Sequence, residues 1–332
     1  MGYQVYKCID AGTEFCPCHL SENNQCILCS ALQDKDKCDC EHWSGVCIYQ
    51  RFIENGKKAT ETRKYYQCDI VKKDKIGKGL LKLIIKVPEY LSDRLTEPGS
   101  FVFLKNPSDK VTFDVPIAVM EVNRKKCTIT VVLKILGVKT KRIEQLMTGE
   151  KITVKGPFWN GILGLRHIKN LKDSTVLVIA RGIGQAPMIP PLKELYNNNN
   201  KIITIIDKGK EGVEFIRPYL DRFSHVNIYT SVIDKGIGSR KFEDVFKNIV
   251  VHDKVSLVHC DTGDFIIKKV MRYIKEIEKE KGLNIDFSCC NNFKMCCGEG
   301  ICGCCTNRRD SNIKRMCKYQ GDPKDILEEC EH

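Results

Sequence analysis

Near its C-terminal end the chain reads CCGEGICGCC over residues 296–305, with a further cysteine at Cys317. Thiolates are ligands for soft metals, and their spacing decides which metal centre they can surround. Cys297, Cys302, Cys305 and Cys317 give C-x4-C-x2-C followed by one distant cysteine, the plant-type [2Fe–2S] spacing. Cys296 cannot open that pattern, because Ile301 stands where its second cysteine would be needed. Gly298, Gly300 and Gly303 let the backbone wrap a cluster closely and turn N–H groups toward its sulfurs. Zinc is the alternative. Its four-thiolate sites pair one short step with a second, whereas here the second half is a single cysteine. A [2Fe–2S] cluster carries one electron at a time, so something upstream must supply electrons.

A second stretch with chemistry in it is STVLVIARGIGQAPMIPP. Gly182 and Gly184 follow an apolar strand directly and precede a helix. Bare glycine backbone at a helix start can take a pyrophosphate. Pro187 stands where the dinucleotide fingerprint has its third glycine, which points away from ordinary dehydrogenases and toward another reductase branch. Arg181 is a candidate phosphate contact. A third cluster lies at the other end of the chain, where residues 1–55 hold cysteines at 8, 16, 18, 26, 29, 38, 40 and 47. Cys16, Cys18, Cys26, Cys29, Cys38, Cys40 and Cys47 are taken as candidate metal ligands. Zinc sites and a second iron–sulfur cluster both fit the count.

The elements that must position these groups divide the chain in four. Residues 1–55 form a cysteine-rich metal-binding module. Residues 60–165 read as short β-branched strands (79–87, 100–106, 116–122, 127–136, 150–156) with turn punctuation, which predicts an antiparallel barrel or sandwich interrupted by a helix near 139–147. Residues 170–283 alternate strand and helix, which predicts a parallel sheet covered on both faces. Residues 285–332 carry the cluster loop. The fold class expected is α+β multidomain.

Composition narrows the function. The chain has 332 residues, enough for cores that need no disulfides, and 20 cysteines. No apolar run approaches the ~18 residues of a membrane span, and MGYQVYKCID lacks the basic and apolar regions of a secretory leader. Cysteine-rich chains of this kind bind metals or carry redox chemistry in a reducing compartment, so the cytoplasm is the expected location. The net charge of +12 comes from scattered lysines without interleaved aromatics, which argues against nucleic acid and for an ordinary surface or a docking face for an acidic partner.

Taken together, the barrel, the G-x-G-x-x-P turn and the terminal C-x4-C-x2-C…C loop resemble the ferredoxin–NADP reductase superfamily. The resemblance is strongest to the branch of dihydroorotate dehydrogenase electron-transfer subunits and sulfide dehydrogenase-like proteins. It implies an FAD-binding barrel, an NAD(P)-binding α/β domain and a [2Fe–2S] loop. Pro116, Ile117, Ala118 and Val119 match the family's flavin segment, with Val115 in place of an arginine. Gly137, Lys139 and Thr140 match the segment that takes the FAD pyrophosphate, and Gly156 the segment that closes the barrel, with Trp159 beside the flavin or in the core. Asp234 matches the loop around the pyridine nucleotide, with Asp207 as its rival for the ribose. Cys260 stands where the family has a cysteine near the nicotinamide, and is the candidate catalytic residue. The activity implied is electron transfer between NAD(P)H, FAD and the cluster, to or from a redox partner such as ferredoxin or a catalytic subunit. The competing expectation is a non-catalytic zinc or iron–sulfur scaffold that docks a partner.

Overall fold

The computed structural model describes residues 5–39, 47–234, 236–309 and 312–328. The chain forms two compact units. One comprises Tyr66–Asn292 together with the described residues from Asp322 onward, and the other comprises Gln4–Tyr65 with Phe293–Gly321. The N-terminal cysteine segment and the terminal cysteine loop, expected as separate modules, therefore fall in one unit.

The first unit begins with a closed six-stranded barrel in the order β1-β2-β5-β4-β3-β6. Its strands are β1 (Tyr65–Gly77), β2 (Leu80–Lys86), β3 (Phe101–Lys105), β4 (Val115–Asn123), β5 (Thr128–Lys134) and β6 (Lys151–Phe158). Neighbouring pairs run antiparallel. Leu81, Leu83, Ile85, Val102, Leu104, Ile129, Val131 and Val154 fill the interior, as the period-2 alternation of half-buried strands requires. A short helix, Val138–Glu144, interrupts the strands where the sequence placed it. β1 was not anticipated, because its run of lysines masks the alternation that buries Cys68 and Ile70.

A six-stranded sheet follows in the order β10-β9-β8-β13-β14-β7. It contains β7 (Ile162–Leu163), β8 (Thr175–Arg181), β9 (Lys201–Asp207), β10 (Val226–Tyr229), β13 (Leu257–Asp261) and β14 (Asp286–Cys290). All pairs are parallel except β14 with β7. A hairpin of β11 (Ile233–Asp234) and β12 (Ile237–Gly238) stands apart. The chain builds outward from β8 to β9 and β10, then returns to β13 on the other side. The order of strands thus reverses between β8 and β13, and in open α/β sheets ligands bind at such a switch point.

The second unit holds the helix Ile48–Glu54 and a hairpin of β15 (Thr306–Arg309) and β16 (Asn312–Arg315). Its two chain segments are joined by a short antiparallel ladder. Cys8 pairs with Tyr319, Ile9 N donates to Lys318 O at 2.9 Å, and Gln320 N donates to Lys7 O at 2.7 Å. No helix among the described residues is long and apolar enough to cross a membrane.

In the first unit, His167 ties the helix Leu165–Asn170 to β14 and to the start of the last helix. Its Nδ1 lies 3.1 Å from Asp286 Oδ1 and its Nε2 3.1 Å from Asp322 Oδ2. Burial lowers the His167 pKa, but hydrogen bonds to the two carboxylates outweigh it and hold the pKa above its ordinary value. A raised histidine pKa contributes stability that is fully present below about pH 6.5 and is lost as pH rises through the folded value. We expect His167→Asn to flatten the decline in the urea midpoint from pH 6 upward that the wild-type chain shows.

Candidate functional site

In the terminal loop the spaced cysteines meet through backbone amides and, for Cys305 and Cys317, through their sulfurs as well. Cys302 N donates to Cys297 Sγ at 3.5 Å, and Glu299 N donates to the same sulfur at 3.3 Å. Cys317 N donates to Cys305 Sγ at 3.4 Å. The Cys317 thiol also hydrogen-bonds to Cys305, chiefly by which the Cys305 pKa is lowered to about 6, while that of its partner is raised. Gly298, Gly300 and Gly303 all take positive φ, so the wrapping that the glycines promised is present. Arg315 clasps the loop, donating from Nε to Gly300 O at 3.2 Å and from Nη1 to Thr306 Oγ1. Backbone N–H groups of Glu299, Cys302 and Cys317 aimed at the sulfurs of Cys297 and Cys305 fit a four-cysteine two-iron cluster. Cys296 and Cys304 are exposed on the same loop.

A buried quartet of charges anchors this loop to the N-terminal segment. Arg63 reaches Asp10 at 2.7 Å and Glu299 at 2.9 Å. Lys318 contacts Asp10, and lies 3.3 Å from Glu299. All four side chains are at most 5% exposed. Burial pulls the Asp10 pKa up, but Lys318 and Arg63 pull it below the usual carboxylate range. Sequence reasoning missed this quartet, because no local pattern links residues so far apart.

The N-terminal cysteines are also engaged. Cys26 Sγ accepts from Cys29 N at 3.4 Å, and Cys47 Sγ, at the start of the helix Ile48–Glu54, accepts from Gln50 N at 3.4 Å. Burial pushes the Cys16 thiol up to about 12 and raises those of Cys18, Cys26 and Cys29. Cys38 is exposed, and Cys40 lies outside the described residues. Among the described residues, no three His, Cys, Asp or Glu side chains are placed to hold a single ion.

In the barrel, the flavin-like segment lies on β4. Pro116 is exposed, Ile117 and Ala118 are half-buried, and Val119 points into the core. Gly137 caps the helix Val138–Glu144. Nothing lies within 4 Å of where a Cβ on Gly137 would stand, so its backbone faces open space. Thr140 is occupied locally, its Oγ1 accepting from Leu136 N at 3.0 Å and donating to Gly137 O at 3.1 Å. Lys139 Nζ donates to Asp114 O at 3.2 Å, which brings its charge to the start of β4. Leu136 and Val138 are 74% and 67% exposed, an apolar surface that a ring system can cover. Gly156 has a different role from the one expected. It is buried, and a Cβ there would come within 3.1 Å of Val102, so its bareness lets the strands pack. Trp159 is also core, with its indole N–H donating to Arg94 O at 2.7 Å.

At the switch point, the turn Gly182–Gln185 follows β8. A Cβ on Gly184 would sit 1.9 Å from Asp261 O, at the end of β13. A Cβ on Gly182 or Gly209 would sit 2.5 Å from Glu211 Oε2. Glycine is thus required at 184 by the backbone of the facing strand end and at 182 and 209 by positive φ as well as the nearby carboxylate, and Gly182 and Gly184 are buried. Pro187 is half-buried ahead of the helix Ile189–Asn197. Arg181 is not a free phosphate contact, since its Nε donates to Asp207 Oδ2 at 3.1 Å. Asp207 also accepts from Gly209 N at 2.8 Å and Val232 N at 2.9 Å, so it braces the turn. Asp234, on the hairpin, is exposed.

Cys260 is fully buried on β13, its sulfur 3.3 Å from Thr262 Oγ1, and burial pushes its thiol up to about 12. It is a packed neutral thiol in this structure, with no surface to offer a ligand. Beside it runs a buried network that the sequence did not disclose. His259 Nδ1 lies 2.8 Å from Ser288 Oγ, and its Nε2 lies 2.8 Å from Asp261 Oδ2. All three are 0% exposed, so they link β13 to β14 and are not a nucleophile set.

The architecture is thus a closed antiparallel barrel followed by a parallel sheet with its switch point beside a glycine turn. A solved NADH-dependent reduced ferredoxin–NADP oxidoreductase shares it at a TM-score of 0.62 and 19% identity, over 80% of this chain and 92% of that one. More particularly, the chain is similar to the dihydroorotate dehydrogenase B (NAD(+)) electron transfer subunit. That of Clostridium perfringens is 25% identical over 255 residues, 76% of this chain and 94% of the relative. That of Clostridium acetobutylicum is 25% identical over 256 residues, 77% and 93%. No family model matches the chain.

Gly184→Ala is expected to lower stability by about 1–3 kcal/mol, the usual cost of overpacking, and to weaken nucleotide binding. Thermal unfolding and nucleotide titration check this. Arg63→Ala leaves two buried carboxylates facing one cation and is expected to cost about 3–5 kcal/mol, read as a lower denaturation midpoint.

Proposed function

We propose that this chain is the electron-transfer component of an NAD(P)H-dependent flavin and iron–sulfur oxidoreductase, moving electrons between a nicotinamide nucleotide and a partner protein. The observation that carries the reading is the terminal loop. The amide of Cys302 is directed at the sulfur of Cys297 and that of Cys317 at the sulfur of Cys305. On this reading they are the cluster ligands, and Arg315 keeps the loop in shape.

FAD, when bound, supplies the conversion between two-electron nicotinamide chemistry and one-electron cluster chemistry. The barrel's part is to hold it. Pro116, Ile117 and Ala118 present backbone and apolar surface at the start of β4, and Gly137 presents open backbone at a helix start for the pyrophosphate. Lys139 supplies the positive charge beside them. Its ammonium reaches the carbonyl of Asp114, next to Val115, where the family has an arginine. The turn from Gly182 to Pro187 lies at the switch point and borders the nicotinamide nucleotide. Exposed Asp234 is the acceptor for a ribose hydroxyl, and its charge disfavours a 2′-phosphate, so NADH is the preferred donor. Cys260 contributes packing beneath this site and no acid–base chemistry. The relatives are named as electron transfer subunits, so the partner is a separate catalytic subunit, with an acidic ferredoxin as the other candidate for a chain of net charge +12. Reduced thiols require a reducing compartment such as the cytoplasm.

The test is anaerobic purification followed by stepwise addition of NADH. Bound FAD that bleaches, together with a slow-relaxing [2Fe–2S] electron paramagnetic resonance signal that disappears in Cys302→Ser, is expected. Protein that holds no flavin, or whose cysteines hold zinc with no signal even under dithionite, would overturn the reading.

A further inference from the structure

The eight N-terminal cysteines are not equivalent. Cys8, Cys16, Cys18 and Cys26 line a single small cavity, closed on its other sides by residues that include Phe15 and Leu20. Cys29, Cys38 and Cys47 do not line it. The sequence makes the same division independently. Cys8-x7-Cys16-x-Cys18-x7-Cys26 is followed at once by Cys29-x8-Cys38-x-Cys40-x6-Cys47, two sets of equal overall length with their C-x-C step in the middle. The boundary between the sets falls between Cys26 and Cys29, where the cavity also draws it.

We infer that Cys8, Cys16, Cys18 and Cys26 are the four ligands of a second iron–sulfur cluster, held in this cavity beside the terminal loop. Asp10 and Ser21 also line the cavity, but the Asp10 carboxylate is taken by Arg63 and Lys318, which leaves the four thiols as ligands among largely apolar walls, as such clusters require. Backbone amides are directed at the sulfurs, from Gly12 to Cys16, Leu20 to Cys18 and Cys29 to Cys26. The four thiols surround one cavity, as the ligands of one centre must. Position argues the same way. Cys8 pairs with Tyr319, two residues past Cys317, which brings the first of the four thiols beside the terminal loop. Leu20, a wall of the cavity, packs on Gly300 of the terminal loop, where a Cβ would come within 3.2 Å. Two one-electron carriers side by side extend an electron path, whereas zinc has no redox chemistry. The inference deepens the proposed function and rests on that reading only for the cluster in the terminal loop.

The experiment uses the full chain, purified without oxygen, and reads iron, acid-labile sulfide and zinc per chain alongside electron paramagnetic resonance. Cys8→Ser and Cys18→Ser are each expected to lose one cluster's iron and sulfide, about two to four of each, while keeping the signal that Cys302→Ser removes. Cys127→Ser, in the barrel, is the background. Cys8→Asp retains an anionic ligand and is expected to keep the iron with a changed line shape, which a merely structural thiol would not produce. Unchanged iron and sulfide in Cys8→Ser and Cys18→Ser, or zinc in wild type that these variants lose, would overturn the inference. A wild-type chain with no Cys302-dependent signal, but with iron and sulfide that Cys8→Ser removes, would count against the proposed function instead.

Discussion

Four buried charges hold the second unit together. Asp10 comes from the N-terminal segment, Arg63 from the approach to the barrel, Glu299 from inside the cluster loop and Lys318 from the residue after its last cysteine. Each charge alone would be costly to bury. Together they are balanced, two against two, and each carboxylate meets both cations. The network is satisfied only when all three chain segments are in place. It thus joins residues 308 positions apart in sequence, and the entropy of closing so long a loop grows only logarithmically with its length.

The same economy governs the switch point. Glycines at 182, 184 and 209 look from sequence like an open phosphate cradle. In the folded chain much of that space is taken by protein. The carbonyl of Asp261 closes on Gly184, and the carboxylate of Glu211 closes on Gly182 and Gly209. Lys134, at the end of β5, pairs with Glu211, so the barrel and the sheet meet through an ion pair at the turn. Burial pulls the Glu211 pKa up, and the Lys134 contact draws it down below its ordinary value. A glycine turn can therefore owe its composition to packing between loops and still border a ligand.

The flavin-like segment shows how an altered motif can keep its geometry. The usual arginine and hydroxyl are absent at Val115 and Ala118, yet β4 keeps its pairing with β3 from Val115 to Ala118. Backbone register depends on the alternation of apolar residues and not on the lost polar groups. Lys139 enters from the following helix and reaches the carbonyl just ahead of the segment.

Much of this protein was legible in its sequence, because the signals concerned are local. Period-2 runs marked five of the six barrel strands, and strand–helix alternation marked the parallel sheet. The spacing of Cys297, Cys302, Cys305 and Cys317 identified cysteines that meet in the terminal loop. Strands β1 and β14 escaped, the first behind its lysines and the second because five residues ending in two cysteines carry little pattern. The burial of Cys260, Gly156 and Val119 could not be read either, since each depends on what the opposite strand or loop places against it. The sequence by itself determined the element types and the terminal ligand spacing. Tertiary structure alone decided that the two cysteine-rich ends share one unit, that Asp207 braces a turn while Asp234 stays exposed, and which four N-terminal thiols surround one cavity. Those outcomes rest on contacts between residues distant in the chain, and no local spacing encodes them.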